Sequence, residues 1–477
     1  MKKICLLILF ISILPGRTVA GDLKDTTNRA DYILIAPASS CAAAETLAAF
    51  RRAKNGLATM VVELDTIYAQ FGGGTTPDTA LKSFVQYSLS NWSDPKPQFF
   101  VLAGNTDAIP SHPEPETLIN AGATVFDSTL MIDQWFIEQM DSTGLPHTRG
   151  CIARFPAWDS SALSTMIAKT IEYENDTTTA WTKRVISLAD FDSLDGGFVF
   201  ESDAAQLRSL FCTVWSDTIP VDIRASSPNH IDTMSFLKLW DAGAAIISYC
   251  GHANQVVLSA TDYFTTSDVD SLTNGNRLPV CLFGGCDLTY DTRPPLSIPT
   301  HLLQKSNGGA VAVISSEGLN YEWQTYMFYA AMVDSLIAKR EQPIGPVFEE
   351  AKPDAYWYEM TKRFTLLGDP ALVIKHPSAA TAVPVRHAQP SSFVLAQNYP
   401  NPFNPSTVIS YQLSVNGRVT LMVYDLLGRE VAKLVDEEKR PGSYRVVFDG
   451  SRLASGVYFY RLTASGFTET KKLMLLK

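Results

Sequence analysis

Short apolar runs alternate with helical segments from residue 31 onward, and this alternation restricts the fold more than any other feature of the sequence. Three apolar runs, YILIAPA, ATMVVEL and QFFVLAG, are separated by the helical segments AAAETLAAFRRAKNG and PDTALKSFVQYSLSNW. Pro77 after Thr76 is typical of a helix start, and Gly56 is typical of a helix end. Apolar strands without polar alternation are usually covered on both faces, so the sequence predicts an α/β fold with a mostly parallel sheet.

The same pattern restarts further along the chain. Four more apolar runs, RVISLAD, AAIISYCG, LPVCLFGG and GGAVAVISS, follow from residue 184, with helical stretches such as HIDTMSFLKLWDAG between them. They predict either a second α/β sheet or a continuation of the first.

The first twenty residues have the pattern of a secretory signal peptide. Two lysines precede an apolar core from Ile4 to Leu14, and Thr18-Val19-Ala20 forms a small-residue cleavage site. This core is too short to span a bilayer stably, and no other run of about 20 uninterrupted apolar residues follows. We therefore expect signal peptide 1–20 and export through the periplasm, with no transmembrane segment.

Length restricts the number of domains, and charge and cysteine content restrict the classes of partner and scaffold. A chain of 477 residues exceeds the usual size of one domain. The net charge is −10 and no Lys/Arg-rich run occurs, which argues against a nucleic-acid partner and an anionic membrane surface. Six cysteines outside the signal peptide are too few for a disulfide scaffold in so long a chain.

The composition changes near the C-terminus. Residues 376–392, HPSAATAVPVRHAQPSS, are rich in Pro, Ala and Ser without a period, which predicts a linker. Residues 393–477 contain short alternating strands spaced by Gly, Asn and Pro, which predict a small β-sandwich. Pro400, Pro402 and Pro405 predict an extended lead-in that cannot join a central ladder.

Two polar residues follow neighbouring strands of the second α/β region. His252 follows the run that ends at Cys250, and Cys286 follows the run that ends in two glycines. Ligands bind beyond the carboxyl ends of parallel strands, and a catalytic thiol needs an adjacent base, so this spacing is compatible with a Cys-His pair. Gly251, Gly284 and Gly285 allow close backbone approach, and amides at Gly251 and Gly285 are candidates for an oxyanion site.

Other interpretations of these residues remain open on spacing alone. A single His after a strand is more often a hydrogen-bonded core residue, and a Cys at a strand end is usually a small apolar group. Cys250, His252, Cys281 and Cys286 are also ligand types that suit Zn²⁺, although the Cys281–Cys286 interval is wider than the usual knuckle. We expect no metal and no cofactor at this site.

Six motifs in order resemble the gingipain-type cysteine peptidases over residues 31–375. They are FFVLAGNTDAIP, CIARFPAWDSSALSTMIAKTIEYE, SYCGHA, CLFGGCDL, NGGAVAVI and LLGDPAL. The resemblance implies a caspase-like fold of mostly parallel sheets flanked by helices, with His252 as the general base and Cys286 as the nucleophile. It also suggests Trp323, in NYEWQ, as a wall of the substrate pocket, although a core Trp would give the same pattern. Glu317 and Glu322 could reach that pocket or face water.

The sequence departs from the family pattern at three places. The family's GD is Gly104-Asn105 here, and its GHG ends in Ala253. Arg149 stands where the family commonly has the acidic residue that orients the histidine. Asp133 and Asp190 are candidates to replace this acidic residue, although each is more simply explained as a loop or cap carboxylate.

The region from Phe393 to Lys477 resembles the C-terminal sorting domain of proteins exported by the type IX secretion system. The segments LAQNYPNPFNPSTVISYQL, VYDLLGREVAKLV and ASGVYFYRL carry the match. It implies a small all-β immunoglobulin-like sandwich that binds the type IX machinery. A plain spacer or adhesion module would also fit the strand pattern.

Two function hypotheses follow. The first is a secreted or cell-surface cysteine endopeptidase that hydrolyses protein or peptide substrates through Cys286, His252 and an acyl-enzyme. The second is a catalytically silent surface or adhesion protein that keeps the fold, which the loss of the acid at Arg149 favours.

Overall fold

The computed structural model describes residues 21–120, 123–141, 146–178, 180–191, 199–288, 296–320, 322–352, 361–377, 393–395, 398, 401–413, 415–439 and 442–476. The predicted signal peptide 1–20 and residues 378–392 of the predicted linker lie outside the described residues. The chain divides into two compact units, Met1–Ser378 and Ala379–Lys477.

The first unit contains ten α-helices and seventeen strands among its described residues. The helices are α1 Cys41–Asn55, α2 Leu64–Phe71, α3 Pro77–Asn91, α4 Ser160–Asn175, α5 Val199–Phe211, α6 Thr233–Asp241, α7 Thr266–Ser271, α8 Ile298–Gln304, α9 Glu322–Ala338 and α10 Ile344–Glu350. The strands are β1 Tyr32–Ala36, β2 Thr59–Glu63, β3 Phe99–Ala103, β4 His112–Asn120, β5 Ala123–Ile132, β6 Glu138–Met140, β7 Pro146–Thr148, β8 Cys151–Phe155, β9 Arg184–Ala189, β10 Asp217–Asp222, β11 Ile246–Cys250, β12 Ala253–Asn254, β13 Val257–Leu258, β14 Phe264–Thr265, β15 Val280–Gly284, β16 Ala312–Ser316 and β17 Phe364–Leu367.

One ten-stranded sheet runs through this unit in the order β10-β9-β11-β15-β16-β17-β8-β3-β1-β2. The second apolar set therefore continues the first sheet. Every pair is parallel except β16 with β17, where the two halves of the sheet run in opposite directions. The α/β prediction is confirmed, and the antiparallel junction is a feature that the apolar pattern did not predict.

The predicted local boundaries are largely confirmed. Gly56 ends α1 with φ 69°, and Pro77 is the first residue of α3 behind Thr76. The Thr76 side chain forms no capping bond to the helix backbone, since its hydroxyl pairs with the side chains of Asp78 and Thr79. The β4–β5 hairpin was not predicted, because its strands lack a long apolar run.

The apolar strands form the core of the sheet. Residues on one face of β1, β3, β11 and β15 pack with α1, α4 and α6, while those on the other face of the second half pack against α5, α9 and α10. A third apolar cluster joins β1–β3 to α2 and α3. Both faces are therefore covered, as expected for strands without polar alternation.

The second unit is all β within its described residues. Its strands are β18 Val394–Leu395, β19 Ser406–Leu413, β20 Gly417–Tyr424, β21 Glu430–Lys439, β22 Gly442–Asp449, β23 Gly456–Ala464 and β24 Phe467–Leu475. Two antiparallel sheets, β18-β19-β22 and β21-β20-β23-β24, share one apolar core. This confirms the predicted all-β fold of this region.

Phe403, within the proline-rich lead-in, pairs with an edge strand of this sandwich. The Phe403 amide donates to the Met474 carbonyl and the Phe403 carbonyl accepts from Leu476, both at 2.9 Å. Strand β24 is the edge strand of its sheet, so Pro402 and Pro405 flank a position where no central ladder is interrupted. Pro400 lies outside the described residues.

Candidate active site

His252 lies two residues beyond β11, where the loops of this half of the sheet meet. The preceding Gly251 is packed so closely that a Cβ there would lie 2.3 Å from the Asp190 Cβ. Its amide donates to the Gly284 carbonyl over 3.0 Å, which ties the histidine loop to the end of β15. The Gly251 N–H is therefore engaged within the protein, and Gly251 contributes the close approach of the two loops.

The backbone of His252 is held by a buried carboxylate and by its own loop. The His252 amide donates to Oδ2 of Asp190 at 3.2 Å, and the His252 carbonyl accepts from the Ser259 amide at 2.8 Å. Oδ1 of Asp190 accepts from the Ser259 hydroxyl at 2.8 Å. The ring of Phe200 packs edge-on against the imidazole, with centroids 5.0 Å apart. The loop position of the imidazole is thus defined by several contacts.

Cys286 and His252 emerge from adjacent strands at the same register. Strands β11 and β15 pair in parallel with Cys250 opposite Gly284, and His252 and Cys286 each follow that pair by two positions. A Cβ at Gly285 would lie only 2.5 Å from the Ala253 Cβ, so the two loops are in contact. The structure therefore brings the predicted loops together over one edge of the sheet.

The Cys286 thiol is half-buried and contacts the backbone of Asn320. Its Sγ lies 3.4 Å from the Asn320 carbonyl oxygen, and the Asn320 amide donates to Sγ over 3.5 Å. Sequence reasoning did not identify Asn320, because its contact with the thiol spans 34 positions and depends on how the ends of β15 and β16 pack.

The segment after β16 also supports the loop that bears Cys286. The Ser316 hydroxyl donates to the Gly285 carbonyl and the Asp287 amide donates to the Gly318 carbonyl, both at 2.7 Å. Asp287 has φ 48°, in the left-handed region that non-glycine residues seldom adopt. These contacts fix the loop on either side of Cys286.

The two neighbouring cysteines are buried on opposite faces of the sheet. Cys250 is 5% exposed in the cluster with α5 and α9, and Cys281 is fully buried in the cluster with α6 and α8. Burial raises the pKa of both thiols. Both side chains pack against helices that cover the sheet. Within the described part of the chain, no three His, Cys, Asp or Glu side chains converge as metal ligands do.

The three candidate positions for an orienting acid differ in environment. Arg149 is exposed, and its amide donates to the Ile137 carbonyl. Asp133 is buried and forms an ion pair with Arg154, with 2.6 Å between Oδ1 and Nη2. Asp190 contacts the His252 backbone, as described above. Asp190 directly follows β9, the neighbour of β11, so the strand-end rule that selected His252 could also have ranked Asp190 above Asp133.

Glu317 is buried, and the side chain of Trp323, the predicted pocket aromatic, lies outside the described residues. Glu317 is 4% exposed and accepts a hydrogen bond from the Met131 amide, so it does not face water. Burial raises its pKa to about 8. The side chains of Trp323 and Glu322 lie outside the described residues.

Two solved structures resemble this chain in fold. The crystal structure of the Arg specific cysteine proteinase gingipain R (RgpB) has a TM-score of 0.60 at 17% identity, covering 93% of this chain and 98% of that chain. The complex of Porphyromonas gingivalis RgpB pro- and mature domains gives 0.59 at 18% identity, covering 93% of this chain and 100% of that chain. These likenesses show the gingipain fold.

Residues 25–375 match peptidase family C25, and the chain belongs to that family. Residues 397–476 match the secretion system C-terminal sorting domain, which indicates a secreted or cell-surface protein. Both resemblances seen in the sequence are thereby confirmed. No helix in the described ranges is long and apolar enough to cross a membrane.

Curated relatives match part of the chain. Gingipain R2 of Porphyromonas gingivalis strain W83 is 24% identical over 248 residues, which cover 47% of this chain and 32% of that protein. Gingipain R1 of Porphyromonas gingivalis is 24% identical over 247 residues, covering 47% of this chain and 24% of that protein. The match thus spans about a third or less of the length of these relatives.

Proposed function

We propose that this chain is a secreted cysteine endopeptidase with Cys286 as nucleophile and His252 as general base. The observation that carries the proposal is the shared register of the two residues beyond β11 and β15. The contact between Gly285 and Ala253 supports it, because the loops that bear the thiol and the imidazole touch. Membership of peptidase family C25 supports the same reaction class.

The reaction follows from the chemistry of the pair. His252 takes the thiol proton, and the thiolate of Cys286 attacks the peptide carbonyl to form a tetrahedral oxyanion. The C–N bond then breaks as the imidazolium donates its proton to the leaving amine, which leaves a thioester. Water, deprotonated by His252, attacks the thioester and releases the carboxylic acid and the thiol.

Backbone around Gly285 is the part of the site suited to the oxyanion. Gly285 lies between the strand end and the thiol and has no side chain to exclude a substrate carbonyl. Its amide is the donor that we assign to the oxyanion. The Gly251 amide already donates to Gly284, so we assign Gly251 the role of holding the loops together.

Among the described residues, contacts of the His252 backbone and ring position the imidazole. Asp190 holds the His252 amide, and Phe200 packs on the ring, so the loop geometry limits the imidazole orientations. Trp323 remains our proposed wall of the substrate pocket. Protein or peptide chains are the substrates, and the sorting domain binds the type IX secretion machinery.

A fluorogenic peptide library tests the proposal. We expect turnover in the presence of a reducing thiol, loss of turnover after iodoacetamide, and no turnover by Cys286→Ala. His252→Ala should lose nearly all activity. A well-folded, secreted protein with no thiol-dependent turnover would instead favour the catalytically silent surface protein.

A further inference from the structure

Asn320 carries an unsatisfied carboxamide next to the proposed nucleophile. Both Nδ2 and Oδ1 of Asn320 are buried and have no hydrogen-bond partner among the residues that the structure describes. Among the described residues it is the one side chain with two such atoms. A buried polar group left without a partner destabilises the folded protein, so a side chain of this kind needs an explanation.

The position of Asn320 indicates what the missing partner is. Its backbone amide and carbonyl both contact the Cys286 thiol, at 3.5 and 3.4 Å. The Asn320 side chain is therefore attached to backbone that lies next to the sulfur atom proposed to attack the substrate. A carboxamide offers donors at Nδ2 and an acceptor at Oδ1. The complementary group is a peptide unit, which has one acceptor and one donor.

We propose that the Asn320 carboxamide binds a main-chain peptide unit of the substrate next to the scissile bond. This inference rests on the proposed peptidase function and adds a substrate-binding residue to it. The residue as a whole is partly exposed, so rotation of the side chain lets the carboxamide meet a bound peptide. The unfavourable burial in the resting protein is then relieved by substrate.

Another buried asparagine supplies a matched control. Nδ2 of Asn274 donates to the carbonyls of Arg277 and Gly309 at 3.0 Å, and its Oδ1 accepts from the Gly309 amide at 2.7 Å. The Asn274 carboxamide is therefore fully used within the fold. Asn274→Leu should lower the melting temperature, whereas Asn320→Leu should raise it or leave it unchanged.

The test compares two reagents that alkylate or thiolate Cys286. A mixture of acetyl-tripeptidyl chloromethyl ketones reports peptide binding beside the thiol, and methyl methanethiosulfonate, which has no amide, reports the thiol alone. In Asn320→Leu the peptidyl rate should fall about tenfold to a hundredfold, as expected for lost hydrogen bonds to a substrate. The methanethiosulfonate rate should stay unchanged, because the backbone contacts to Sγ remain.

Asn320→Ala repeats the measurement with a smaller side chain, and Asn274→Leu should keep the wild-type ratio of the two rates. The inference is overturned if both Asn320 variants keep that ratio. It is also overturned if the melting temperatures of both Asn320 variants fall as far as that of Asn274→Leu. A wild-type protein that reacts with the peptidyl reagents but hydrolyses no library peptide would count against the proposed function, while the rate ratio would still decide the role of Asn320.

Discussion

Three thiols lie close together in sequence but in different surroundings. Cys250 and Cys281 are enclosed by apolar side chains on opposite faces of the sheet, whereas Cys286 is half-buried beyond the strand ends. Alternation of side chains along β11 and β15 explains the first two positions. The difference in access makes Cys286 separable from Cys250 and Cys281 by experiment.

We expect brief iodoacetamide treatment to label Cys286 before Cys250 and Cys281. Burial raises the pKa of Cys250 and Cys281, so the reactive thiolate is scarce there, and the reagent cannot reach either side chain in the folded protein. Mass spectrometry of tryptic peptides gives the order of labelling. Cys250→Ser and Cys281→Ser should retain turnover and cost about 1–3 kcal/mol of stability as buried hydroxyls. Earlier labelling of either residue would contradict the assignment of Cys286.

A second prediction concerns the pH dependence of stability through Glu317. Burial is the main cause that raises its pKa from 4.5 to about 8, and the charges of Asp133 and Asp287 act in the same direction. Below pH 4.5 the acid is protonated in both the folded and the unfolded chain. Between pH 4.5 and about 8, Glu317 loses its proton only in the unfolded chain. The contribution of Glu317 to the free energy of unfolding therefore falls as pH rises and levels off above about pH 8.

Glu317→Gln removes this titration while keeping an acceptor for the Met131 amide. Relative to wild type, its free energy of unfolding should rise between pH 5 and 8, by up to roughly 4 kcal/mol for a shift of this size. Urea denaturation at a series of pH values measures the difference. Glu172→Gln, at an exposed position of α4, is the control for replacing Glu by Gln. A difference between Glu317→Gln and wild type that stays constant with pH would mean that Glu317 does not titrate in this range.

At the scale of elements, a buried ion network joins α1, α4 and the segment after β17. Arg51 is fully buried and pairs with Asp369 at 2.7 Å and with Glu174 at 2.6 Å. Asp369 also accepts from the Tyr32 hydroxyl at 2.9 Å and from the Ala371 amide at 2.8 Å. The LLGDPAL motif therefore supplies a carboxylate that satisfies groups from distant parts of the first unit.

We expect Asp369→Ala to destabilise the protein by about 3–5 kcal/mol, because Arg51 keeps its buried charge and loses a partner. Arg51→Met combined with Asp369→Ala should recover part of this loss. Denaturant midpoints of the two variants provide the measurement. The exposed pair Lys339–Glu350 is the control, and Glu350→Ala should cost less than about 1 kcal/mol. Equal effects at both pairs would show that the burial of Asp369 is not what matters.

At the scale of the whole molecule, the chain contains two units with separate apolar cores. The core of the α/β unit lies on both faces of the ten-stranded sheet, and the core of the β unit lies between its two small sheets. Each unit can therefore bury its own apolar strands. The proposed catalytic residues lie in the α/β unit, and the sorting domain forms the β unit.

Deletion of residues 393–477 should leave a folded α/β unit that stays in the periplasm of a host with a type IX system. Immunoblots of periplasm, surface and medium follow its location, and thermal melting should barely change for the α/β unit. Full-length Cys286→Ala is the matched control, since it should be exported normally without activity. A truncated protein that reaches the surface as efficiently as the full chain would rule out the sorting role.

Local patterns in the sequence determined the elements of this protein and the candidate pair. Unbroken apolar runs predicted seven of the ten strands of the large sheet, Pro77 and Gly56 marked helix ends, and the residues that follow strands pointed to His252 and Cys286. These signals are local because they depend on the side-chain period of one element, on backbone preferences at single residues, and on where a strand stops.

Only the tertiary structure decided how distant segments meet. The antiparallel pairing of β16 with β17, the contact of Asn320 with the Cys286 thiol, the position of Asp190 below His252, and the burial of Glu317 all join parts of the chain that no period connects. Such contacts depend on the order of strands in the sheet and on the packing of loops at its edge. A polar residue in a loop has the same local pattern whether it faces water or is enclosed by other elements, so its burial and its partners follow from the fold.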